Sequence, residues 1–412
     1  MKLSIMRRLD AVVGRPACFA LSVLFGVFGR VLRRKASGEA HRVLFIELSE
    51  MGSTILAAPS IQRLRERYPQ HAPCFVIFKK NAPSLRLLEM FDERDIFTIR
   101  DTSLIAMSID VLRFVSFCAS RRIDTTIDLE LFARISSILS MLSCAATRVG
   151  FDNFLGEGLY RGRQLTHRVQ YNPYYHMSQN FLALVEALDQ EPGAIPLIKR
   201  ALPVPPMTCR VHKRPAEFDY VRAELGQRID LARSPRLVLI NHDAGKLLPI
   251  RNWPIARFAE LARRLVNLAD DIVVVLVGIP EATASAAEIV RAVASERCID
   301  FTGRTRTLAD LVQLFLQSQL LITNDSGPAH FASLTEIACI TLFGPETSKL
   351  YGPLGARAVN IYKGLACSPC LTALNHRNSP CTDNVCLQAI TVDEVFEHAT
   401  ALLATHVEVA AT

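Results

Sequence analysis

Residues 324–330, with the sequence Asn-Asp-Ser-Gly-Pro-Ala-His, hold the residue types best suited to binding a phosphorylated ligand. They follow the apolar run 320–323, a pattern that predicts a buried strand leading into a helix. Asp325 or Ser326 would cap that helix, and Pro328 suits its first turn. Backbone N–H groups at such a helix start carry positive dipole character, so this turn predicts a phosphate site.

The side chains of this turn add to the same chemistry. Ser326 and Gly327 would offer hydroxyl and N–H donors to phosphate, and Asp325 would cap the helix or orient Ser326. His330 lies one helical turn further on and would face the same pocket, or serve in the core as single histidines often do. A second strand and turn follow at once in residues 340–347, and together the segments indicate a nucleotide-diphosphate pocket.

Two cations upstream are candidates for holding the diphosphate. Arg251 could bind phosphate oxygens in a bidentate way, and Lys246 is the alternative. Trp253 and Pro254 more simply begin the helix that follows. Glu281, which also follows a predicted strand, would bind a ribose hydroxyl or stand as an exposed acid in the first turn of a helix.

Alternating short apolar runs and longer amphipathic runs, from about residue 42 onward, must position these residues. The alternation predicts an α/β fold in which helices cover parallel sheets. A Pro-rich segment at 203–206 divides the chain, and the pattern then begins again. We therefore predict two doubly wound Rossmann-like domains facing a central cleft, at 41–206 and 207–390. Residues 1–40 would precede them, and a last helix would lie within 391–412. Ligands in such sheets bind beyond the carboxyl ends of the strands.

Some segments of this prediction are less regular. The polar and aromatic stretch 153–175 predicts a loop, and the pattern predicts no helix or strand between 207 and 235 or between 344 and 391.

The net charge of +7 is modest for 412 residues, and the chain has a single Trp. Nucleic-acid binding is therefore not expected. Much of the positive charge lies near the N-terminus, at Arg7, Arg8, Arg15, Arg30, Arg33, Arg34 and Lys35. It flanks the apolar run 16–29, which is short for a membrane span of about 20 residues. Basic flanks predict a helix lying in the cytoplasmic membrane interface, with a buried accessory helix or a tilted span as alternatives.

The chain has eleven Cys, an odd number that fits a reducing compartment better than a disulfide framework. Four of them, Cys367, Cys370, Cys381 and Cys386, lie close together in sequence. A Cys-x-x-Cys pair with two further thiols could close a structural zinc site. A disulfide staple and four unlinked thiols in a loop are the alternatives.

Four segments resemble glycosyltransferase family 9, the heptosyltransferase family of bacterial surface-glycan synthesis. They are residues 43–59, residues 239–245 with Arg-Asn-Trp-Pro at 251–254, the turn 324–330, and Leu-Phe-Gly-Pro at 342–345. The resemblance implies a GT-B architecture. The C-terminal half would hold a nucleotide-diphospho-sugar, by default ADP-heptose. The N-terminal half would hold a lipopolysaccharide-like or lipid-linked glycan acceptor, at the membrane surface on the cytoplasmic side.

Inverting sugar transfer, which the resemblance also implies, needs a general base for the acceptor hydroxyl and a stabilised diphosphate, and no cofactor is required. Family members usually carry an Asp directly after the glycine of the first loop, here Gly52, but this chain has Ser53. A serine hydroxyl is a poor base, and Ser53 would at least cap a helix. Glu50 on the same loop is the leading candidate for the base, and Glu47 or a carboxylate elsewhere in the chain is the alternative.

Two other functions remain compatible with the sequence. One is a nucleotide-sugar 2-epimerase, which would use the same fold without an acceptor. The other is a non-catalytic scaffold that binds a nucleotide sugar, since the usual Asp is replaced.

Overall fold

The computed structural model describes residues 10–32, 42–69, 73–131, 133–154, 159–245, 248–372, 375 and 377–410. The chain divides into two compact units. The N-terminal unit runs to Pro206, and the C-terminal unit runs from Met207 to Thr372 and resumes at Arg377.

The N-terminal unit is built on a six-stranded parallel sheet in the order β3-β2-β1-β4-β5-β6. Its strands are β1 (Val43–Ile46), β2 (Cys74–Phe78), β3 (Ile96–Ile99), β4 (Thr125–Asp128), β5 (Thr147–Asp152) and β6 (His167–Gln170). Its helices are α1 (Arg15–Leu32, after a π-helical turn), α2 (Met51–Arg67), α3 (Ala82–Leu87), α4 (Leu104–Ser120), α5 (Arg134–Leu142) and α6 (Met177–Glu186).

The C-terminal unit repeats this plan in the order β12-β11-β10-β7-β8-β9. Its strands are β7 (Arg236–Asn241), β8 (Ile272–Val277), β9 (Cys298–Asp300), β10 (Leu320–Asn324), β11 (Ala338–Phe343) and β12 (Ala358–Tyr362). Its helices are α7 (Pro215–Gly226), α8 (Ile255–Val266), α9 (Thr283–Val293), α10 (Leu308–Phe315), α11 (Gly327–Ala332), α12 (Ser348–Tyr351), α13 (Val385–Gln388) and α14 (Val392–Ala410).

Buried, β-branched strands form both cores, as expected for parallel sheets covered on two faces. β8 reads Ile-Val-Val-Val-Leu-Val and is buried throughout. In the N-terminal unit α4 and α5 pack on the sheet face that carries Leu44 and Ile46, while Phe45 between them points to the opposite face. In the C-terminal unit α8, α9 and α14 contribute to one continuous core with alternate strand residues.

The predicted fold class is confirmed, but five elements were missed. The predicted loop 153–175 contains β6, and the segments with no predicted element contain α7, α12, β12 and α13. β6 and β12 are the edge strands of their sheets, and β6 reads His-Arg-Val-Gln. An edge strand is buried on fewer sides, so it need not carry the apolar run by which a central strand is recognised.

Candidate functional sites

The loop after β1 carries the candidate base, and neighbouring strands hold it from both sides. Glu130 follows β4, and its Oε1 accepts hydrogen bonds from the Leu48 and Ser49 N–H groups, both at 2.9 Å, and from the Ser49 hydroxyl at 2.7 Å. Asn81 follows β2, and its Nδ2 donates to the Leu48 carbonyl at 2.7 Å. Because β1 lies between β2 and β4, the sheet brings both side chains to the same loop.

Glu50 stands at the end of this loop, directly before α2. It is partly exposed, and its Oε2 accepts a hydrogen bond from the Ser53 hydroxyl at 3.0 Å. Helix α2 begins at Met51, so Gly52 and Ser53 lie in its first turn. Ser53 was expected to cap the helix, but Glu50 occupies the cap position and Ser53 instead orients the Glu50 carboxylate.

Glu47, the second candidate for the base, is only 3 % exposed. Burial raises its pKa well above the ordinary range, and the nearby carboxylates of Glu130, Glu50 and Asp128 act in the same direction. A carboxyl group this deeply buried is poorly placed to meet a substrate hydroxyl. The geometry favours Glu50 over Glu47.

A buried polar network supports the far side of the loop. Arg161 pairs with Asp128, and its Nη1 donates to the Glu130 carbonyl at 2.6 Å. Burial raises the pKa of Asp128, while the Arg161 guanidinium opposes that shift. Burial also raises the pKa of Glu130, and its hydrogen bonds from Ser49 and Leu48 act against the rise. Sequence reasoning missed Glu130 and Arg161, although the acid directly beyond an apolar strand was a usable signal for Glu130.

In the C-terminal unit, the predicted turn lies at the carboxyl end of β10. Asn324 is fully buried, its Oδ1 accepts from the Trp253 N–H at 2.9 Å, and its Nδ2 donates to the His242 carbonyl at 3.2 Å. This one amide therefore fixes both the end of β7 and the start of α8. The sequence placed Asn324 in the turn after a strand ending at residue 323, whereas β10 includes it, and its partners were not visible in the sequence.

Arg251 and Asp325 are brought together by these contacts. Arg251 Nη1 lies 3.4 Å from Asp325 Oδ2, and the two side chains are 16 % and 8 % exposed. Asn384, beyond the cysteine-rich segment, donates to the carbonyls of Ile250 and Asn252 at 3.0 and 2.8 Å. Both neighbours of Arg251 are thereby held, so its guanidinium is presented from a fixed turn. Lys246, the alternative cation, lies outside the described residues.

The remaining predicted residues of this turn are arranged as follows. Ser326 occupies the cap position of α11 without a side-chain capping bond, and its hydroxyl donates to the Asn324 carbonyl at 3.1 Å. Gly327 begins α11, and His330 lies within it, largely buried. Ser326, not Asp325, occupies the cap position, and the Asp325 carboxylate pairs with Arg251. Helix α11 has only six residues, so its dipole is small.

Glu281 lies in a short 3-10 turn after β8, and it is exposed. Because β8 lies directly beside β7, this turn is at the same edge of the sheet as the Arg251 turn. The placement agrees with a ribose-binding role without establishing one. Gly344 of the Phe-Gly-Pro turn is required for packing, since a Cβ there would lie 2.6 Å from Leu387 Cγ.

The four clustered cysteines carry free thiols, so a disulfide staple is absent from this segment. Cys367 and Cys381 are exposed, Cys370 is half-buried and Cys386 is buried. Within the described part of the chain, no group of three or more His, Cys, Asp or Glu side chains is placed to hold a metal ion. The zinc site therefore stays a prediction from sequence spacing.

Known proteins resemble this chain in sequence and in fold. The sequence model of glycosyltransferase family 9 (heptosyltransferase) matches residues 120–379, more than half of the chain. The lipooligosaccharide heptosyltransferase 2 of Haemophilus influenzae is 28% identical over 199 residues, 47% of this chain and 54% of that protein. The lipopolysaccharide heptosyltransferase 2 of Salmonella typhimurium is 32% identical over 121 residues, 28% of this chain and 34% of that protein. The matched segments thus span about half or less of these relatives.

Solved structures share the fold over nearly their full length. A heptosyltransferase II of E. coli superposes with a TM-score of 0.66 at 20% identity, covering 89% of this chain and 99% of that one. A family 9 glycosyltransferase of Veillonella parvula gives a TM-score of 0.69 at 19% identity, covering 90% and 99%. The chain belongs to glycosyltransferase family 9, the heptosyltransferase family.

Proposed function

We propose that this protein transfers a heptose from a nucleotide-diphospho-heptose to a lipopolysaccharide-like or lipid-linked glycan acceptor, with inversion at the anomeric carbon. The observation that carries the proposal is the Arg251 turn beside Asn324 and Ser326, at the carboxyl end of the C-terminal sheet. The E. coli heptosyltransferase WaaC has been solved with ADP, which favours ADP-heptose as the donor here.

The C-terminal unit would hold the donor. Arg251 would neutralise the diphosphate as the anomeric C–O bond breaks, and the Ser326 hydroxyl would donate to a phosphate oxygen. Glu281, on the neighbouring turn, would accept from a ribose hydroxyl, and His330 would complete the pocket. Lys246 remains the alternative cation.

The N-terminal unit would supply the base and bind the acceptor. The acceptor hydroxyl attacks the anomeric carbon, its proton passes to Glu50, and the nucleoside diphosphate leaves. Ser53 would orient the Glu50 carboxylate through the hydrogen bond of 3.0 Å. Glu130 would act as a positioning residue, because it holds the Leu48 and Ser49 amides that precede Glu50.

The protein would work on the cytoplasmic face of the cytoplasmic membrane, where a lipid-borne acceptor is presented. Residues Asp10–Phe28 form a helix long and apolar enough to cross a membrane by length and composition, with a mean hydropathy of 1.8. One side of α1 is buried on α5 through Cys18, Phe25 and Met141. Phe19 and Val27 on other positions of α1 are exposed, which favours a helix lying in the interface over a span.

The deciding experiment compares the full chain with Glu50→Gln, using ADP-heptose and a heptose-deficient lipopolysaccharide acceptor. Turnover should fall by about two to four orders of magnitude, while donor binding measured by thermal shift should persist. Release of an epimerised nucleotide sugar without transfer would indicate an epimerase. Donor binding with no turnover by the unaltered protein would indicate a scaffold.

A further inference from the structure

The exposed apolar side chains of this protein are concentrated on one part of the N-terminal unit. Eighteen large hydrophobic residues are exposed among those described, and eleven of them lie in residues 10–28 or in α4. The α4 members are Leu104, Ile105, Ile109 and Leu112, which are 45, 76, 46 and 72 % exposed. Such clustering differs from the scattered apolar residues of an ordinary protein surface.

Three of the α4 side chains form a single stripe. Ile105, Ile109 and Leu112 follow the i, i+4, i+7 spacing that places residues on one face of a helix. The opposite side of α4 is buried in the core through Phe114 and Cys118. Ser103 caps the helix by accepting from the Ala106 N–H at 3.2 Å, so the stripe is presented by a well-formed helix.

α1 and α4 lie on the same side of the N-terminal sheet. α4 and α5 both pack on the face that carries Leu44 and Ile46. α1 in turn packs on the outside of α5, where Cys18 and Phe25 contact Met141. The exposed stripe of α4 and the exposed side chains of α1 are therefore carried by the same layer of one unit.

The charges of these two helical segments favour an anionic partner. The carboxylates within residues 10–28 and α4 are Asp10 and Asp110, and each pairs with an arginine, Arg134 at 3.0 Å and Arg100 at 2.7 Å. The Arg113 side chain, beside Leu112, is 70 % exposed, and its Nη1 lies 3.8 Å from Asp110 Oδ1. Arg15 at the start of α1 and Arg122 just beyond α4 are also exposed.

We infer that α4 is a second membrane-binding element, and that its Ile105, Ile109 and Leu112 stripe inserts beside α1 into the headgroup region of an anionic lipid bilayer. Apolar area supplies the insertion, and the arginines supply attraction to anionic lipids. Two separate contacts restrict the rotation of the N-terminal unit on the surface, which a single helix would not do. The inference extends the membrane location proposed above and is independent of the transfer chemistry.

Vesicle flotation of the full chain tests it. The variant carries Ile105→Gln, Ile109→Gln and Leu112→Gln, and the matched control carries Leu268→Gln, Leu316→Gln and Val385→Gln at exposed sites of the C-terminal unit. Phosphatidylcholine vesicles with and without phosphatidylglycerol are compared. The α4 variant should bind the anionic vesicles at least about tenfold more weakly than the control. Circular dichroism and donor thermal shift establish that both are folded.

The outcomes separate the inference from the broader proposal. If the unaltered protein binds neither type of vesicle, the proposed membrane location itself is contradicted. If it binds and the α4 variant binds equally well, only the role of α4 is overturned. Equal binding to both vesicle types would overturn the anionic surface. The unaltered protein could instead be a dimer and the α4 variant a monomer, with equal vesicle binding. That outcome would show that the stripe binds a second copy of the chain.

Leu112→Trp adds a direct readout. The chain has a single Trp, Trp253, which is fully buried in the C-terminal unit and gives a constant background. Bilayer insertion should let brominated lipids quench the fluorescence of the new indole, and the control Leu316→Trp should stay unquenched. An unquenched Leu112→Trp protein bound to vesicles would contradict insertion of α4.

Discussion

The two units have the same strand order, but they stabilise their central loops with different side chains. In each sheet the first strand lies beside the fourth, and the residues after these two strands meet. In the N-terminal unit a carboxylate, Glu130, accepts from the first loop. In the C-terminal unit an amide, Asn324, both accepts and donates. The reversal of strand order at this point favours ligand binding in both units, and the side chains decide which ligand.

In the proposed function this difference in side chains corresponds to a difference in role. Glu47 and Glu130 lie near Glu50, and burial raises the pKa values of both and of neighbouring Asp128, a setting typical of proton-transfer sites. The C-terminal site offers an arginine, a hydroxyl and neutral amides, which suit a diphosphate. Under the proposed function, the same fold would therefore supply a base in one unit and an anion-binding site in the other.

The largest effect is expected when the Asn324 amide of the C-terminal unit is replaced by a carboxylate like that of Glu130. In Asn324→Asp the oxygen can still accept from Trp253, but a buried carboxylate then faces the His242 carbonyl. We expect a loss of about 3 kcal/mol in the unfolding free energy of the C-terminal unit at pH 8, and a smaller loss at pH 5, where the new acid can protonate. Urea unfolding followed by Trp253 fluorescence measures it. Unchanged stability at both pH values would show that the donated bond is unimportant.

The second-largest effect is expected when Arg251 is removed from the C-terminal unit, which should weaken the binding of a diphosphate. Arg251→Ala is expected to raise the dissociation constant for ADP by about 10- to 100-fold, because charge-assisted hydrogen bonds are worth about 1.5–3 kcal/mol. Calorimetric titration provides the measurement. Arg263→Ala removes an exposed arginine that pairs with Glu260 at 2.8 Å and serves as the control. If Arg251→Ala binds normally and Lys246→Ala does not, the diphosphate ligand is Lys246.

The hydrogen bonds that Glu130 accepts from the Leu48 and Ser49 amides can be tested by removing its carboxylate. Glu130→Ala should reduce kcat about tenfold with donor binding intact, since the Leu48 and Ser49 amides lose their partner. Glu130→Gln keeps an acceptor oxygen and should retain most activity with an unchanged pH profile. A Gln variant as inactive as Glu50→Gln would instead identify Glu130 as the base.

The smallest effect concerns Glu47, a buried acid of the N-terminal unit. The pKa of Glu47 is raised in the folded protein, so its contribution to stability is full below the ordinary pKa of 4.5. That contribution is lost as the pH rises toward the folded pKa. Glu47→Gln should therefore be stabilising, increasingly so from pH 5 to pH 8, by about 1 kcal/mol or about 2–4 °C in melting temperature. Far-UV circular dichroism is the suitable probe, because Trp253 reports on the other unit. A difference that stays constant with pH would contradict the burial effect.

The agreement between sequence and structure is best where a pattern is local. The Asn-Asp-Ser-Gly turn was predicted at the end of a buried strand, and it lies there after β10. The apolar run 320–323 was predicted to form that strand, and β10 spans Leu320–Asn324. β6 and β12 were missed, because edge strands carry weaker patterns.

The sequence by itself determined the α/β alternation, the strand ends that carry the candidate site residues, and the carboxylate Glu50 near a serine where the family usually has aspartate. These follow from hydrophobic periodicity and residue chemistry over a few positions. Only the tertiary structure decided that Glu130 holds the loop of Leu48, 82 positions away, and that Asn384 secures both neighbours of Arg251. Parallel pairing joins strands distant in the chain, so the partners of a strand-end side chain are set by the order of the sheet, which no local pattern encodes.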